Sequence, residues 1–181
     1  VDVVNGLETA RKTLNEITAL GLPVAAELLD PIVPQYIADF ISWASIGARS
    51  AESQVHRELA SGLSMPVGFK NPTDGNIDIA VNAIVSARAS HAFLGIMQNG
   101  LPAAMLTSGN EYAHLVLRGS VHGINYDRVS VETSCRVLAG KGIKPSLLID
   151  CSHGNSQRNP DKQQEVLFAS LRFRFGDMPI A

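Results

Sequence analysis

The sequence predicts an α/β fold built from repeated β-α units, and three observations carry that expectation. Short apolar runs alternate with segments whose apolar residues recur at helical spacing. The runs are unbroken, as strands buried on both faces of a parallel sheet must be. The connections between runs and helices are short, as α/β architecture requires. Six such units favour a (β/α) barrel over an open sheet.

Leu7, Ala10, Leu14 and Ile17 lie three and four apart, and Gly21 and Pro23 stop this first helix. Residues 23–26 are the first apolar run. A second helix is expected from Pro34, a residue suited to a first turn, with Ile37, Phe40 and Ile41 facing inward. The run at 44–47 leads to a helix from a Ser50 cap through Val55 and Leu59 to Gly62. The run at 66–69 precedes a helix capped by Asn76, with Ile77, Ala80, Ile84 and Ala87 on one face. The run at 92–96 has a second reading. Asn99-Gly100 lies between segments 93–97 and 103–106, which predicts an inserted β-hairpin. A run at 115–117, a helix over 129–138, a run at 147–149 and a helix from Pro160 carrying Val166, Leu167 and Leu171 follow.

With 181 residues, 45% hydrophobic and 18% charged, the chain suits a single domain over 1–181 and excludes disorder or a collagen-like class. Two cysteines, Cys135 and Cys151, allow at most one bridge, so a reducing cytoplasm is expected. No stretch approaches the ~18 apolar residues of a membrane helix. Residues 1–6 carry neither a basic region nor a cleavage site, so no signal peptide is expected. The net charge of −2 points to neither a nucleic acid nor a membrane as partner.

The residues after the runs carry the chemistry. Glu27, Arg49, Lys70, Arg118 and the segment Asp150-Cys151-Ser152-His153-Gly154-Asn155 each follow an apolar run. In parallel α/β folds the carboxyl ends of strands form the active face, so these five ends should share one mouth. Three cations there make an anion site, suited to phosphate and carboxylate. Any one of them alone reads as a solvated rim charge; their joint placement favours function. His153 reads either as a hydrogen-bonded loop residue or as a metal ligand or proton carrier. Cys151 is expected to pack, and His56, His91, His114 and His122 lack metal-ligand spacing. Asn71-Pro72-Thr73 is no glycosylation acceptor, and Gly47-Ala48-Arg49-Ser50 lacks the ending of a P-loop.

The same residues carry a family resemblance. Ile46-Gly47-Ala48-Arg49-Ser50 with segment 52–62, Pro66-Val67-Gly68-Phe69-Lys70-Asn71 with Thr73-Asp74-Gly75, Leu117-Arg118-Gly119, and Ile149-Asp150-Cys151-Ser152-His153-Gly154-Asn155-Ser156 resemble 3-deoxy-D-arabino-heptulosonate 7-phosphate (DAHP) synthases of the microbial class controlled by aromatic amino acids. The resemblance covers essentially the whole chain. It implies a (β/α)8 TIM barrel that condenses phosphoenolpyruvate with erythrose 4-phosphate at the start of the shikimate pathway, using a divalent metal (Mn, Fe, Co or Zn). By resemblance, Arg49, Lys70 and Arg118 cradle the phosphoenolpyruvate phosphate, Glu27 lies beside phosphoenolpyruvate and the attacking water, and His153 is a metal ligand. Pro34, Gln35, Ser64 and Phe93 align with the pocket for an aromatic amino acid effector, and turn or core roles stay open for each. A homo-oligomer, dimer or tetramer, is implied too.

The family's Lys-Pro-Arg-Thr segment and its metal-binding cysteine have no counterpart in these residues, and Gly176-Asp177-Met178-Pro179-Ile180-Ala181 resembles only the entry to the last strand. The expectation is therefore barrel strands two to seven plus the start of strand eight, one of four metal ligands, and little turnover by these residues alone. Two alternatives stay open. One is a sibling barrel enzyme using arabinose 5-phosphate, against which the Gly-Ala-Arg-Ser and Asp-Cys-Ser-His-Gly-Asn segments argue. The other is a non-catalytic module that keeps only the anion cradle.

Overall fold

Residues 2–97 and 99–174 are described by a computed structural model. The apolar runs form strands β1 (Ala25–Glu27), β2 (Trp43–Ile46), β3 (Val67–Lys70), β6 (His114–Leu117) and β7 (Leu147–Ile149). They pair in parallel in the order β1-β2-β3-β6-β7. The register sets Ala26 beside Ala44, Ser45 beside Gly68, Phe69 beside Leu115 and Val116 beside Leu148. Ala44, Ile46, Val67, Phe69, Leu115, Leu117 and Leu147 are fully buried, which is why these strands read as unbroken apolar runs. Strand β1 is the exception: its Ala25 and Glu27 are exposed.

The run at 92–96 belongs to the hairpin and not to the parallel sheet. Strands β4 (Ala92–Ile96) and β5 (Pro102–Leu106) pair antiparallel, with Phe93 opposite Met105. The parallel strands among the described residues therefore number five, not six, with β1 and β7 at the sheet's edges. Two features explain the difference. Burial along β4 and β5 largely alternates, and Gly100 takes the left-handed conformation (φ +80°) that a tight connection requires. Gln98 and the expected entry to strand eight at 176–181 lie outside the described residues.

The helices follow their caps. Helix α1 (Val3–Ala19) starts on Asp2, whose carboxylate accepts from Asn5 N–H at 3.0 Å. It lies on the surface, tied down where Arg11 pairs with Asp39 at 2.8 Å and stacks 4.7 Å over Phe40. Helix α2 (Pro34–Ile37) is a single turn continued by a 3-10 turn at Ala38–Phe40, shorter than the apolar spacing predicts. Helix α3 (Gln54–Ser61) begins after Ser53, not Ser50. Two successive turns, Ser50 N–H to Gly47 O and Ser53 N–H to Ser50 O, use up the residues between. Asn76 caps α4 (Ile77–Arg88), whose Ala80, Ile84 and Ala87 are buried as expected. Asp127 caps α5 (Arg128–Gly140), and α6 (Gln163–Arg174) follows a 3-10 turn at Pro160–Lys162 with Val166 buried and Leu167 exposed. Among the described residues no helix is long and apolar enough to cross a membrane.

Candidate functional site

Because the strands of the sheet run parallel, their carboxyl ends fall on one rim, and the predicted residues meet there. Glu27 ends β1, Lys70 ends β3, Arg118 follows β6 directly, and Arg49 and His153 sit three and four residues past β2 and β7. All five line one cleft of about 490 Å³, together with Ser50, Thr73, Ser152 and Arg158. Four cationic side chains thus face one carboxylate.

That carboxylate is spoken for. Glu27 Oε2 pairs with Lys70 Nζ at 2.5 Å. Gly47 makes the room: a Cβ there would run into Glu27 Oε1, so only glycine lets the carboxylate lie against the end of β2. The guanidinium groups of Arg49, Arg118 and Arg158 have no hydrogen-bond or ion-pair partner among the described residues. Several arginines elsewhere are engaged: Arg57 donates to Ala51 O at 2.9 Å, Arg128 pairs with Glu132, Arg136 donates to Thr133, and Arg88 donates to the Glu111 carbonyl.

Arg118 is only 5% exposed. Burial pushes its pKa down from the usual guanidinium value; Asp150 opposes this, and Arg158 and Arg49 add to it. No nitrogen of Arg118 is both fully buried and unpaired, so the guanidinium keeps contact with the cleft, where an anion would lower the cost of its partial burial.

His153 lies in a loop with three non-glycine residues in the left-handed region: His153 (φ 49°), Gln157 (φ 55°) and Arg158 (φ 60°). Its Nδ1 is 2.7 Å from Asp150 Oδ2, which leaves Nε2 as the nitrogen available to the cleft. That is a suitable metal donor. No group of three or more His, Cys, Asp or Glu side chains gathers among the described residues, so the donor set here does not by itself fit a metal ion.

Arg158 is the cleft residue that sequence reasoning missed, with Thr73, Ser50 and Ser152 beside it. Five positions past His153 and after no apolar run, it gave no strand-end signal. Cys151 is half-buried, its thiol pKa pushed up first by burial and then by Asp150, and it does not line the cleft. His56 contacts Ser53 Oγ at 2.8 Å and His91 the Ser86 carbonyl at 2.8 Å.

A second groove of about 860 Å³ runs between the hairpin and helices α2 and α3. Pro34, Gln35 and Phe93 line it with Leu59, Leu63 and Met105. Ser64 does not. It is exposed in the bend after α3, one residue beyond Leu63, and is not among the residues that line this groove.

The family model described as the DAHP synthetase I family matches residues 2–171. The chain belongs to the DAHP synthetase I family. It is 50% identical over 165 residues to the Tyr-sensitive phospho-2-dehydro-3-deoxyheptonate aldolase of Escherichia coli (strain K12), covering 91% of this chain and 46% of that protein. It is equally 50% identical to the Trp-sensitive enzyme of the same strain over 164 residues, 91% of this chain and 47% of the relative. The structure of phospho-2-dehydro-3-deoxyheptonate aldolase from Francisella tularensis SCHU S4 superimposes with a TM-score of 0.96 at 44% identity, covering 99% of this chain and 52% of the other. The chain thus spans about half the length of these DAHP synthetase I relatives.

Proposed function

We propose that these residues form the phosphoenolpyruvate-binding part of a DAHP synthase, within a single (β/α)8 catalytic domain that the 181 residues share with further chain. The observation that carries this reading is Arg118, 5% exposed and without a side-chain partner among the described residues, lining one cleft with Arg49 and Lys70. The reaction joins C3 of phosphoenolpyruvate to the aldehyde of erythrose 4-phosphate, adds water at C2 and releases phosphate by C–O cleavage.

Arg49, Lys70 and Arg118 hold the phosphate and stabilise the charge that grows on it as it leaves. Glu27, fixed by Lys70 and by the gap at Gly47, is the carboxylate beside the carbon that takes up water. Holding both in place before reaction removes reorganisation from the chemical step. His153 is the residue of this chain offered to a divalent metal ion, which polarises an aldehyde when bound. The donor set is incomplete here, and no step is assigned through the metal.

The groove lined by Pro34, Gln35 and Phe93 fits an aromatic amino acid effector, a reading supported by relatives named Tyr-sensitive and Trp-sensitive. A homo-oligomer belongs to the same proposal. Titration of this chain with phosphoenolpyruvate by calorimetry tests the binding half, and assay of the longer protein for phosphate release tests the chemical half. Binding by the chain that survives Arg118→Ala unchanged would sink the reading.

A further inference from the structure

We propose that Asn71, Asn125 and Asn155 are positioning residues for the cleft: together they fix the main chain that carries Arg118 and tie it to the strand ends carrying Lys70 and His153. The inference rests on the anion-binding reading above. Asn71 follows Lys70 directly and is fully buried. Its Oδ1 accepts from Arg118 N–H at 2.9 Å and from Asn125 Nδ2 at 3.0 Å, while its Nδ2 donates to the carbonyls of Pro72 at 2.8 Å and Gly119 at 3.1 Å. The hydrogen-bonding capacity of that amide is fully used.

Asn155, 3% exposed, grips the other side. Its Nδ2 donates to Leu117 O and Asp150 O, both at 3.0 Å, and its Oδ1 accepts from Asn125 N–H at 2.9 Å. Asn125 closes the set by accepting from Gly119 N–H at 2.7 Å. Gly154 N–H donates to the Arg118 carbonyl at 2.9 Å. Both main-chain groups of Arg118 and both of Gly119 are therefore bonded. Gly119 (φ +71°) also brings the segments together, since a Cβ there would strike Asn155 N and Gly154.

Two features of the cluster tie it to the cleft rather than to the fold alone. First, it begins where strand pairing stops: β3 ends at Lys70, β6 at Leu117 and β7 at Ile149. A bare guanidinium has nothing of its own to aim it, so its direction depends on the main chain beneath. Second, the holding groups are neutral. Carboxylates could accept from the same N–H groups, but beside unpaired guanidinium groups they would occupy the place of the anion.

The test compares Asn71→Ala with Asn110→Ala in this chain, titrated with inorganic phosphate by calorimetry and melted in parallel. Asn110 is also buried, and its Nδ2 lies 3.2, 3.1 and 2.9 Å from the carbonyls of Ala60, Leu63 and Met65, at the opposite end of the strands. Both variants should melt earlier, whereas only Asn71→Ala should lose phosphate affinity, by about tenfold or more, as expected when a binding group is left unfixed. Asn125→Ala, at a half-buried position, is the second variant and serves if Asn71→Ala does not fold. Affinity within about twofold of the parent in Asn71→Ala (or in Asn125→Ala, where that variant serves), or an equal loss in Asn110→Ala, overturns the inference. The parent is titrated first: absence of phosphate binding there overturns the anion-site reading itself and this inference with it.

Discussion

Arg118→Met removes a cation while keeping a long side chain in its place, and the structure assigns this change two effects of opposite sign. In the ligand-free protein the guanidinium is 5% exposed, has no partner among the described residues, and feels Arg158 and Arg49 against Asp150. Replacing a buried ion pair or triad by packed apolar residues is often neutral or stabilising by about 1–4 kcal/mol, and a lone cation on a cleft gains no more than the low end of that range. Arg118 opens on a cleft, so the low end applies: about 1 kcal/mol, or about 2–4 °C in melting temperature for a chain of this size.

With phosphate the sign reverses. Hydrogen bonds to a charged group contribute about 1.5–3 kcal/mol, so the variant should bind about 10- to 150-fold more weakly. At a phosphate concentration 100 times the parent's Kd, linkage stabilises the parent by about 2.7 kcal/mol and the variant by only about 0.3–1.4 kcal/mol. The order of melting temperatures should therefore invert between phosphate-free buffer and saturating phosphate at matched ionic strength. Differential scanning calorimetry reads both. A variant less stable than the parent without phosphate, or one with an undiminished phosphate-induced shift, would refute the view of Arg118 as an uncompensated cation awaiting an anion.

Three more outcomes are expected. Gly47→Ala should drive the Glu27 carboxylate off Lys70 at little cost in stability, because the clash is with the mobile end of a side chain; phosphate should then bind about two- to fivefold more tightly, and unchanged affinity would contradict it. Arg158→Ala should weaken phosphate binding by about 0.5–1 kcal/mol, less than Arg118→Met because Arg158 is exposed, and the loss should shrink at high salt; a salt-independent loss would argue against a screened contact. Burial holds the His114 imidazole below its ordinary range, opposed by its bond to the Tyr112 carbonyl, so the folded state takes up this proton less readily than the unfolded chain. That contribution to stability is full above about pH 6.5 and declines as pH falls below it, so the parent's melting temperature should drop more steeply toward pH 5 than that of His114→Gln; parallel curves would exclude His114 as the source.

The strand-end residues were legible in the sequence because parallel pairing leaves little choice. Once runs such as 44–47 and 66–69 are read as buried parallel strands, Arg49 and Lys70 must emerge on the same rim as Glu27 and Arg118. What hid from the sequence was backbone geometry. Arg158 reaches the cleft through left-handed conformations at His153, Gln157 and Arg158 itself, which no propensity at those residues announces. The cap of α3 moved from Ser50 to Ser53 because two stacked turns, neither marked by proline or by a glycine in the left-handed region, fill the gap. The segment around Ser64 is held from afar: Asn110 Nδ2 donates to the carbonyls of Leu63 and Met65, 47 and 45 residues away in sequence, a tie that local pattern cannot foresee. Ala92–Ile96 counts among the apolar runs and also sits before an Asn-Gly turn that marks a hairpin, and its partner strand settles it as a hairpin arm.

Trp43 is the single tryptophan of the chain, and its surroundings give the protein an optical probe of its own. The indole N–H donates to His114 Nε2 at 3.0 Å, the two rings lie 5.9 Å apart, and Gly68 leaves the space beneath them, so one chromophore bridges β2 and β6 across β3. Excitation at the red edge of the absorption band therefore reports on the middle of the sheet alone. Shielded indole emits toward the blue and hydrated indole toward the red, so opening of these three strands registers as a colour change. A neighbouring imidazolium quenches indole by accepting charge from its excited state, so brightness follows the protonation of His114 while colour follows packing. Two internal events, one ionic and one mechanical, can be followed in a single cuvette without any label.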